Sequence, residues 1–283
     1  MSDPLPELPK AVSKLGFALT KKVGEGAFSQ VYSATWTDKP NKTIAAKVVD
    51  FSKVNKLWIE KNLNNELKIL QSLKHTNIIV VHKVVKTTSK AYIFMDFARG
   101  GSIADELEKV KQPLSESKVK KYLRDIIAGL TYMHNNGVAH RDIKPDNFLI
   151  GDNDRVMLSD FGFACFSLNE SNGKLMRGTK CGTTEYQAIE IKILGQGQVY
   201  DAKCADLYSL GVSLYFMVLF AFPFDISNES ECIRRQKSRE FYLKNSKLSD
   251  TLKTLIYDLL DPNPKTRITA KKAETHAWLS TNN

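Results

Sequence analysis

The 283-residue chain has only four cysteines, Cys165, Cys181, Cys204 and Cys232, and none forms a CxxC pair or any other metal-ligand spacing. That pattern excludes a structural zinc module and fits a reduced, intracellular protein. Cys181, on an expected loop, is the one thiol for which a redox role is considered. Long apolar runs are missing too. The longest, Val212 to Phe222, falls short of the roughly 18 residues that a bilayer span requires, and it reads as a buried core helix. The opening MSDPLPELPK is polar and proline-rich, without the apolar core of a secretory leader, and Ser rather than a myristoylatable Gly stands at position two. A cytoplasmic location with no transmembrane segment is expected. Internal repeats are absent. Arginine is absent between Phe17 and Phe97, where thirteen Lys and six acids leave +7 of the chain's net +10. Such a charge attracts acidic partners. No aromatic-interleaved basic stripe accompanies it, so a solvated lysine face is the preferred reading and no specific nucleic acid is expected.

What is present is ordinary for a globular enzyme: 42% hydrophobic and 25% charged residues, in a length that suits one two-lobed domain or two small ones. Residues 1–16, with three prolines, read as a flexible leader. From Phe17, LTKKVGEGAFSQVYSATW places two strand-like runs around a Gly24–Gly26 turn. Small residues there let backbone N–H groups approach phosphate oxygens, although a plain hairpin has the same pattern. Thr43–Phe51 reads as a buried strand interrupted by Lys47, a cation that is costly among Ala and Val unless it is paired or binds an anion. In Trp58–Leu73, Ile59, Leu63, Leu67, Leu70 and Leu73 share one helical face, and Glu66 lies in the same helix. Ala91–Phe97 reads as a strand broken by Arg99-Gly100-Gly101. Ser115–Asn136 reads as a long amphipathic helix with a stripe from Val119 to Met133 and a stop at Gly137.

The stretch from His140 to Gly162 concentrates the chemistry. HRDIKPDN is followed by a strand at Phe148–Ile150, a turn at Gly151–Asp154, a strand at Val156–Leu158 and then DFG. A hairpin brings its ends together, so Asn147 and Asp160 should meet. An amide oxygen beside a carboxylate suits a hard cation such as Mg²⁺. Asp142 is then free to orient a nucleophile, and Lys144 to neutralise a phosphoryl group in transfer.

HRDIKPDN with DFG at this spacing resembles the catalytic and metal loops of eukaryotic protein kinases, and Lys144-Pro145 resembles the serine/threonine branch. The closing HAWL is similar to an ending seen in the calcium/calmodulin-dependent kinase group. The resemblance runs from about Phe17 to Leu279. It implies an α+β bilobal fold: a β-rich N-lobe with one long helix (about 17–97), a mainly helical C-lobe (about 98–279) and a tail at 280–283. It implies ATP and Mg²⁺ as cofactors and protein substrates as partners. Lys47, held by Glu66, would anchor the α/β-phosphates, Asn147 and Asp160 would hold Mg²⁺, and Asp142 would act on the substrate hydroxyl. Lys144 would stabilise the γ-phosphoryl charge, with Thr183 bridging Asp142 and Lys144. Nucleotide contacts are implied for Val23, Gly24, Glu25, Gly26, Ala27, Phe28, Ser29 and Val31 in the Gly-rich turn. They are also implied for Ala45, for Met95 behind the base, for Asp96 and Ala98 at the hinge, and for Asp146 and Leu149. Thr179 matches the position that accepts an activating phosphate from an upstream kinase or from the chain itself, with Arg141 as its receiver. Glu190 should pair with Arg267, and Asp206 should brace the HRD backbone. The chain departs from the family pattern at Ser29, Ser102, Ile189, Tyr208 and Ala277. A nucleotide-binding pseudokinase that acts as a scaffold is the alternative.

Overall fold

The computed structural model describes residues 5–26, 29–53, 63–166, 175–243 and 247–280. The chain divides into two compact units, Met1–Lys74 with Ile79–Arg99, and His75–Ile78 with Gly100–Asn283.

The first unit opens with a helical turn, α1 (Lys10–Ser13), followed by β1 (Phe17–Glu25), β2 (Ser29–Trp36) and β3 (Ile44–Asp50). A helix, α2 (Asn64–Ser72), then precedes β4 (Val81–Lys86) and β5 (Lys90–Asp96). The five strands form one antiparallel sheet in the order β1-β2-β3-β5-β4. In β3 every residue is buried except Lys47 and the terminal Asp50, as an interior strand covered on both faces requires. One face packs Phe17, Tyr32, Ile44, Val48 and Phe94 with Val12. The other packs Val49, Ala91 and Ile93 against Leu63 and Leu67 of the α2 segment.

One sequence expectation changes here, and one strand was not anticipated. Residues 1–16 were expected to be a flexible leader, yet Val12 on α1 is fully buried and Leu8 packs on the same cluster, so four-residue spacing supplies a lid of aliphatic side chains. Strand β4 gave no clear pattern in the sequence, because VHKVVK sits at a sheet edge, where solvent-facing lysines are tolerated. Of the expected Trp58–Leu73 helix, residues 58–62, including Ile59, lie outside the described residues.

The second unit is mainly helical. It comprises α3 (Ile103–Val110), α4 (Glu116–Asn135), β6 (Val138–Ala139), β7 (Phe148–Ile150), β8 (Val156–Leu158), β9 (Cys165–Phe166) and β10 (Met176–Arg177). Then follow α5 (Ile189–Lys192), β11 (Tyr200–Asp201), α6 (Ala202–Leu219), α7 (Glu229–Ser238), α8 (Asp250–Leu259), α9 (Ala270–Glu274) and α10 (Ala277–Ser280). Ser102 begins α3 with a capping box: its hydroxyl accepts from Asp105 N (3.0 Å), and the Asp105 carboxylate accepts from Ser102 N (2.7 Å). Ser102, one of the departures from the pattern that the sequence resembles, is therefore used to start a helix. Helix α4 has the expected bounds, with Gly137 beyond it at φ +68°. Residues 75–78 join this unit because Asn77 donates to Val156 O (2.9 Å) and accepts from Leu158 N (2.9 Å).

Helix α6 is the only helix among the described residues that is long and apolar enough to cross a membrane by length and composition, and 78% of it is buried inside the unit. The expected Val212–Phe222 core run is cut short, because α6 ends at Leu219, Phe220 turns left-handed (φ 51°) and Phe222 is 39% exposed. Within α6, a Cβ on Gly211 would lie 2.8 Å from Leu259 Cβ and 2.9 Å from Leu260 Cδ2. Gly211→Ala should therefore destabilise the chain by about 1–3 kcal/mol, read as a lower midpoint in urea with an unchanged slope.

The two ends of the unit are tied through one carboxylate. Glu116, at the start of α4, accepts from Ser249 N and Oγ (2.7 Å each) and from Trp278 Nε1 (3.1 Å). Burial disfavours its charge, but these donors outweigh that and keep its carboxyl below the usual range. Trp278 in HAWL is thus a core residue, 1% exposed.

Candidate active site

The His140–Asn147 loop is held from beneath by α6. Asp206, with no side-chain exposure, accepts from His140 N (2.8 Å), Arg141 N (2.7 Å) and His134 Nε2 (2.9 Å). Since α6 starts at Ala202 with Asp201 as its cap, Asp206 lies inside the helix rather than at its N-terminus. Its role is to receive backbone donors, not to complement the helix dipole. These bonds help fix Arg141 at φ +65°, a conformation that L-residues seldom adopt. The His140 ring is locked as well: Nε2 donates to Ser159 O (2.8 Å), and Nδ1 accepts from Asp142 N (3.3 Å). That pattern assigns the proton to Nε2 of a neutral imidazole.

Asp142 is the hub. Its Oδ1 accepts from Thr183 N (2.9 Å) and Thr183 Oγ1 (2.8 Å). Its Oδ2 faces Asn147 Nδ2 (3.2 Å) and Lys144 Nζ (3.3 Å), and Lys144 Nζ also donates to Thr183 Oγ1 (2.7 Å). The Thr183 hydroxyl therefore bridges the carboxylate and the ammonium. Its segment can come this close because Gly182 stands at φ +87°, where an added Cβ would lie 2.5 Å from Arg141 O. Thr183→Val should lower turnover at least about tenfold with little change in nucleotide KM, since it removes the hydroxyl's hydrogen bonds to both the Asp142 carboxylate and the Lys144 ammonium. Steady-state kinetics at varied ATP separates the two constants.

The hairpin β7–β8 pairs Phe148 with Leu158, and Ser159 N and Oγ bond Asn147 O at 3.0 and 3.1 Å. Asp160 is the next residue, at φ +58°. The amide nitrogen of Asn147 is committed to Asp142 O (2.7 Å) and Oδ2, which leaves its oxygen as an acceptor. That oxygen and the Asp160 carboxylate are hard donors that fit Mg²⁺, an ion that takes one or two carboxylates and completes its shell with phosphate and water. Among the described residues no group of three or more His, Cys, Asp or Glu side chains is suited to a metal, so a softer, all-protein site is not supported.

In the first unit, Lys47 Nζ lies 2.9 Å from Glu66 Oε1, with both side chains largely buried, so the strand lysine has the counter-charge its burial demands. Ala45 and Met95 face each other across the β3–β5 ladder, and Met95 packs on the Leu63–Leu67 cluster. Val23 is 45% exposed, and Gly24 pairs with Val31. Gly26 N donates to Ser29 O (2.8 Å), so the serine that replaces a third glycine closes the turn through its backbone. Glu25 is tied to Lys22 (2.8 Å). Ala27 and Phe28 lie outside the described residues. In the second unit Asp146 is exposed, and Leu149 bridges to Ser102. Thr179 is exposed, and Tyr200 OH donates to its carbonyl (3.2 Å). Arg141 donates Nε to Phe163 O (2.7 Å), while its buried Nη1 has no hydrogen-bond partner among the described residues.

Glu190 and Arg267 form a bidentate pair (2.6 and 3.0 Å), and the guanidinium lies 5.0 Å from the centre of the Tyr208 ring. Tyr208 thus serves as a cation-bearing aromatic platform. Burial pushes the Cys165 and Cys181 thiols up, and Cys204 to about 12, which disfavours thiolate chemistry at all three. The sequence reading missed His134, Ser159 and Asn77, whose roles depend on partners far away in the chain. For His134 the one available sign was a histidine where the α4 apolar stripe ends.

A five-stranded antiparallel unit with a paired strand lysine, and a helical unit carrying the Asp142–Lys144–Thr183 network beside a DFG turn, define the protein kinase class. The family model described as Protein kinase domain matches residues 17–279, and the chain belongs to this family. Among its relatives, CBL-interacting protein kinase 26 from Oryza sativa subsp. japonica is 34% identical over 93% of this chain and 52% of its own length. CBL-interacting serine/threonine-protein kinase 20 from Arabidopsis thaliana is 32% identical over 93% of this chain and 58% of its own. The chain therefore spans little more than half the length of these curated relatives.

Proposed function

We propose that the chain is an active serine/threonine protein kinase that transfers the γ-phosphoryl group of ATP to protein hydroxyls. The observation that carries this reading is the Asp142 network, in which one buried carboxylate is oriented by Thr183, Asn147 and Lys144 at 2.8–3.3 Å. Relatives named as serine/threonine-protein kinases support the hydroxyl specificity, and the four free cysteines support the expected cytoplasmic setting.

In this mechanism Lys47, paired with Glu66, engages the α/β-phosphates, and the backbone at Gly24 and Gly26 approaches them. The hinge at Asp96–Ala98 receives the adenine edge through its main chain, with Met95 behind the base. Asn147 and Asp160 would hold Mg²⁺, which when bound neutralises phosphate charge. Asp142 orients the incoming hydroxyl and takes up its proton at Oδ2. Lys144, positioned by Thr183, would neutralise charge on the transferring group. Catalysis is then a matter of placement and electrostatics, with little covalent work for the protein. Thr179, exposed on its segment, is the proposed activating phosphosite. Arg141, beside the catalytic Asp142, is the group that would take the phosphate by charge-assisted hydrogen bonding.

The test is transfer of labelled phosphate from Mg–ATP to a basic protein and to the chain itself, with the label mapped to residues. Transfer is expected, is expected to cease on chelation of the metal, and should place label on Thr179. Label elsewhere would remove the Thr179 switch and keep the kinase. No transfer after treatment with an upstream kinase, while nucleotide still binds, would establish the pseudokinase.

A further inference from the structure

Strand β4 carries an irregularity that the sheet does not need. Val81 pairs with Met95 and Lys83 with Phe94, so His82 is an extra residue in the β4–β5 ladder. Such a bulge re-aims a side chain, and here the imidazole Nε2 comes 2.9 Å from Asp96 Oδ1. The same oxygen accepts from Lys42 Nζ (2.7 Å), at the end of the β2–β3 connection. The carboxylate is 12% exposed and His82 10%, whereas Lys42 is half exposed. Burial raises the Asp96 carboxyl, but the His82 and Lys42 hydrogen bonds outweigh it and hold the group at about 2, so it is charged throughout the neutral range. A second tie lies three residues on, where Arg99 Nη2 donates to Thr43 Oγ1 (3.4 Å). Consecutive residues Lys42 and Thr43 thus strap both ends of the segment 96–99.

That segment is where the nucleotide reading places the adenine contacts of Asp96 and Ala98, which are made by the main chain. Its backbone must therefore be held by something other than the base. Asp96 N already donates to Val80 O (3.0 Å), and Asp96 faces Ile44 across the ladder. The side-chain clasp fixes the same residue from a third direction.

We propose that His82 and Lys42 are positioning residues of the nucleotide site, holding the hinge backbone for adenine through the Asp96 carboxylate. The inference rests on the nucleotide-binding reading given above. A hinge freed of its clasp samples more conformations, and binding must then select one, so affinity falls while the chemical step at saturating ATP is untouched.

The experiment compares wild type with His82→Ala, Lys42→Ala and His82→Gln, which keeps an N–H donor within reach of Asp96. Calorimetry with ADP gives Kd, kinetics gives KM for ATP and kcat, and thermal melting serves as control. For His82→Ala, Kd and KM should rise about tenfold, the effect of losing one hydrogen bond to a charged group, with kcat within about twofold. Lys42→Ala, half in solvent, should raise both only about two- to threefold. His82→Gln should return to near the wild-type values. Unchanged affinity in His82→Ala would overturn the clasp. So would a fall in melting temperature that tracks the lost affinity and that His82→Gln does not repair, since that is loss of packing. If wild type binds no nucleotide, the kinase reading itself fails and this inference with it.

Discussion

Asp142→Asn should lower phosphoryl transfer by about a thousandfold while leaving nucleotide affinity close to that of wild type, within the range by which a positioned general base contributes. The carboxylate accepts from Thr183 N and Oγ1 on one oxygen and faces Asn147 Nδ2 and Lys144 Nζ on the other. Asparagine keeps the shape but turns one of those oxygens into an N–H₂ group. Facing Thr183, the amide would meet two donors with a donor; facing Asn147, it would oppose an amide and an ammonium. In either orientation the charge that draws the hydroxyl proton is gone. Single-turnover transfer with saturating Mg–ATP, beside an equilibrium measure of nucleotide binding, reads both quantities. Transfer at the wild-type rate would remove Asp142 from the chemistry.

Glu190→Ala should cost about 3–5 kcal/mol, because it strands a fully buried guanidinium. Arg267 has no side-chain exposure, and Glu190 supplies both of its carboxylate contacts. The Asp261 and Cys204 carbonyls (2.8 Å each) and the Tyr208 ring remain, which favours the lower end of that range. At roughly 2–4 °C per kcal/mol for a domain of this size, the melting temperature should fall by about 10 °C. Adding Arg267→Met should restore part of the loss, since removing both charges removes the unpaired one. A single variant that melts with wild type would show that the pair contributes nothing to stability. The neighbouring Ile189, where the family pattern has proline, begins α5. At that first helical position proline's missing N–H has no intrahelical partner to lose, and the isoleucine instead buries its side chain, 4% exposed.

Much of the fold was legible because local periodicity carried it. The α4 stripe and its Gly137 stop fell where the structure has them, and β3 was recognisable as an apolar run around one lysine. The hairpin from Phe148 to Leu158 followed from two short apolar runs and a turn, and its β7–β8 register places Asn147 beside Ser159. What failed was of another kind. Strand β4 was hidden because an edge strand buries too little to pattern its sequence. Within the expected leader, Val12 is buried, and its burial depends on Phe17, Tyr32 and Phe94, which lie beyond the leader. Phe220 and Phe222 extended an apolar run past the end of its helix, since composition does not reveal a left-handed turn.

By itself the sequence determined the order and type of the chemistry-bearing residues: a buried-strand lysine, a helix glutamate, HRDIKPDN and DFG. Their spacing follows from bonded geometry and short-range turns, which a linear string records. Only the tertiary structure decided what those groups touch. It placed Asp206 beneath the catalytic loop with His134 as an added donor, and spent Ser102 on a helix cap. It also turned the β4 bulge at His82 toward Asp96. Each of these is a contact between residues whose pairing is chosen by the need to satisfy a buried charge or donor, and that need exists only once water has been excluded around it.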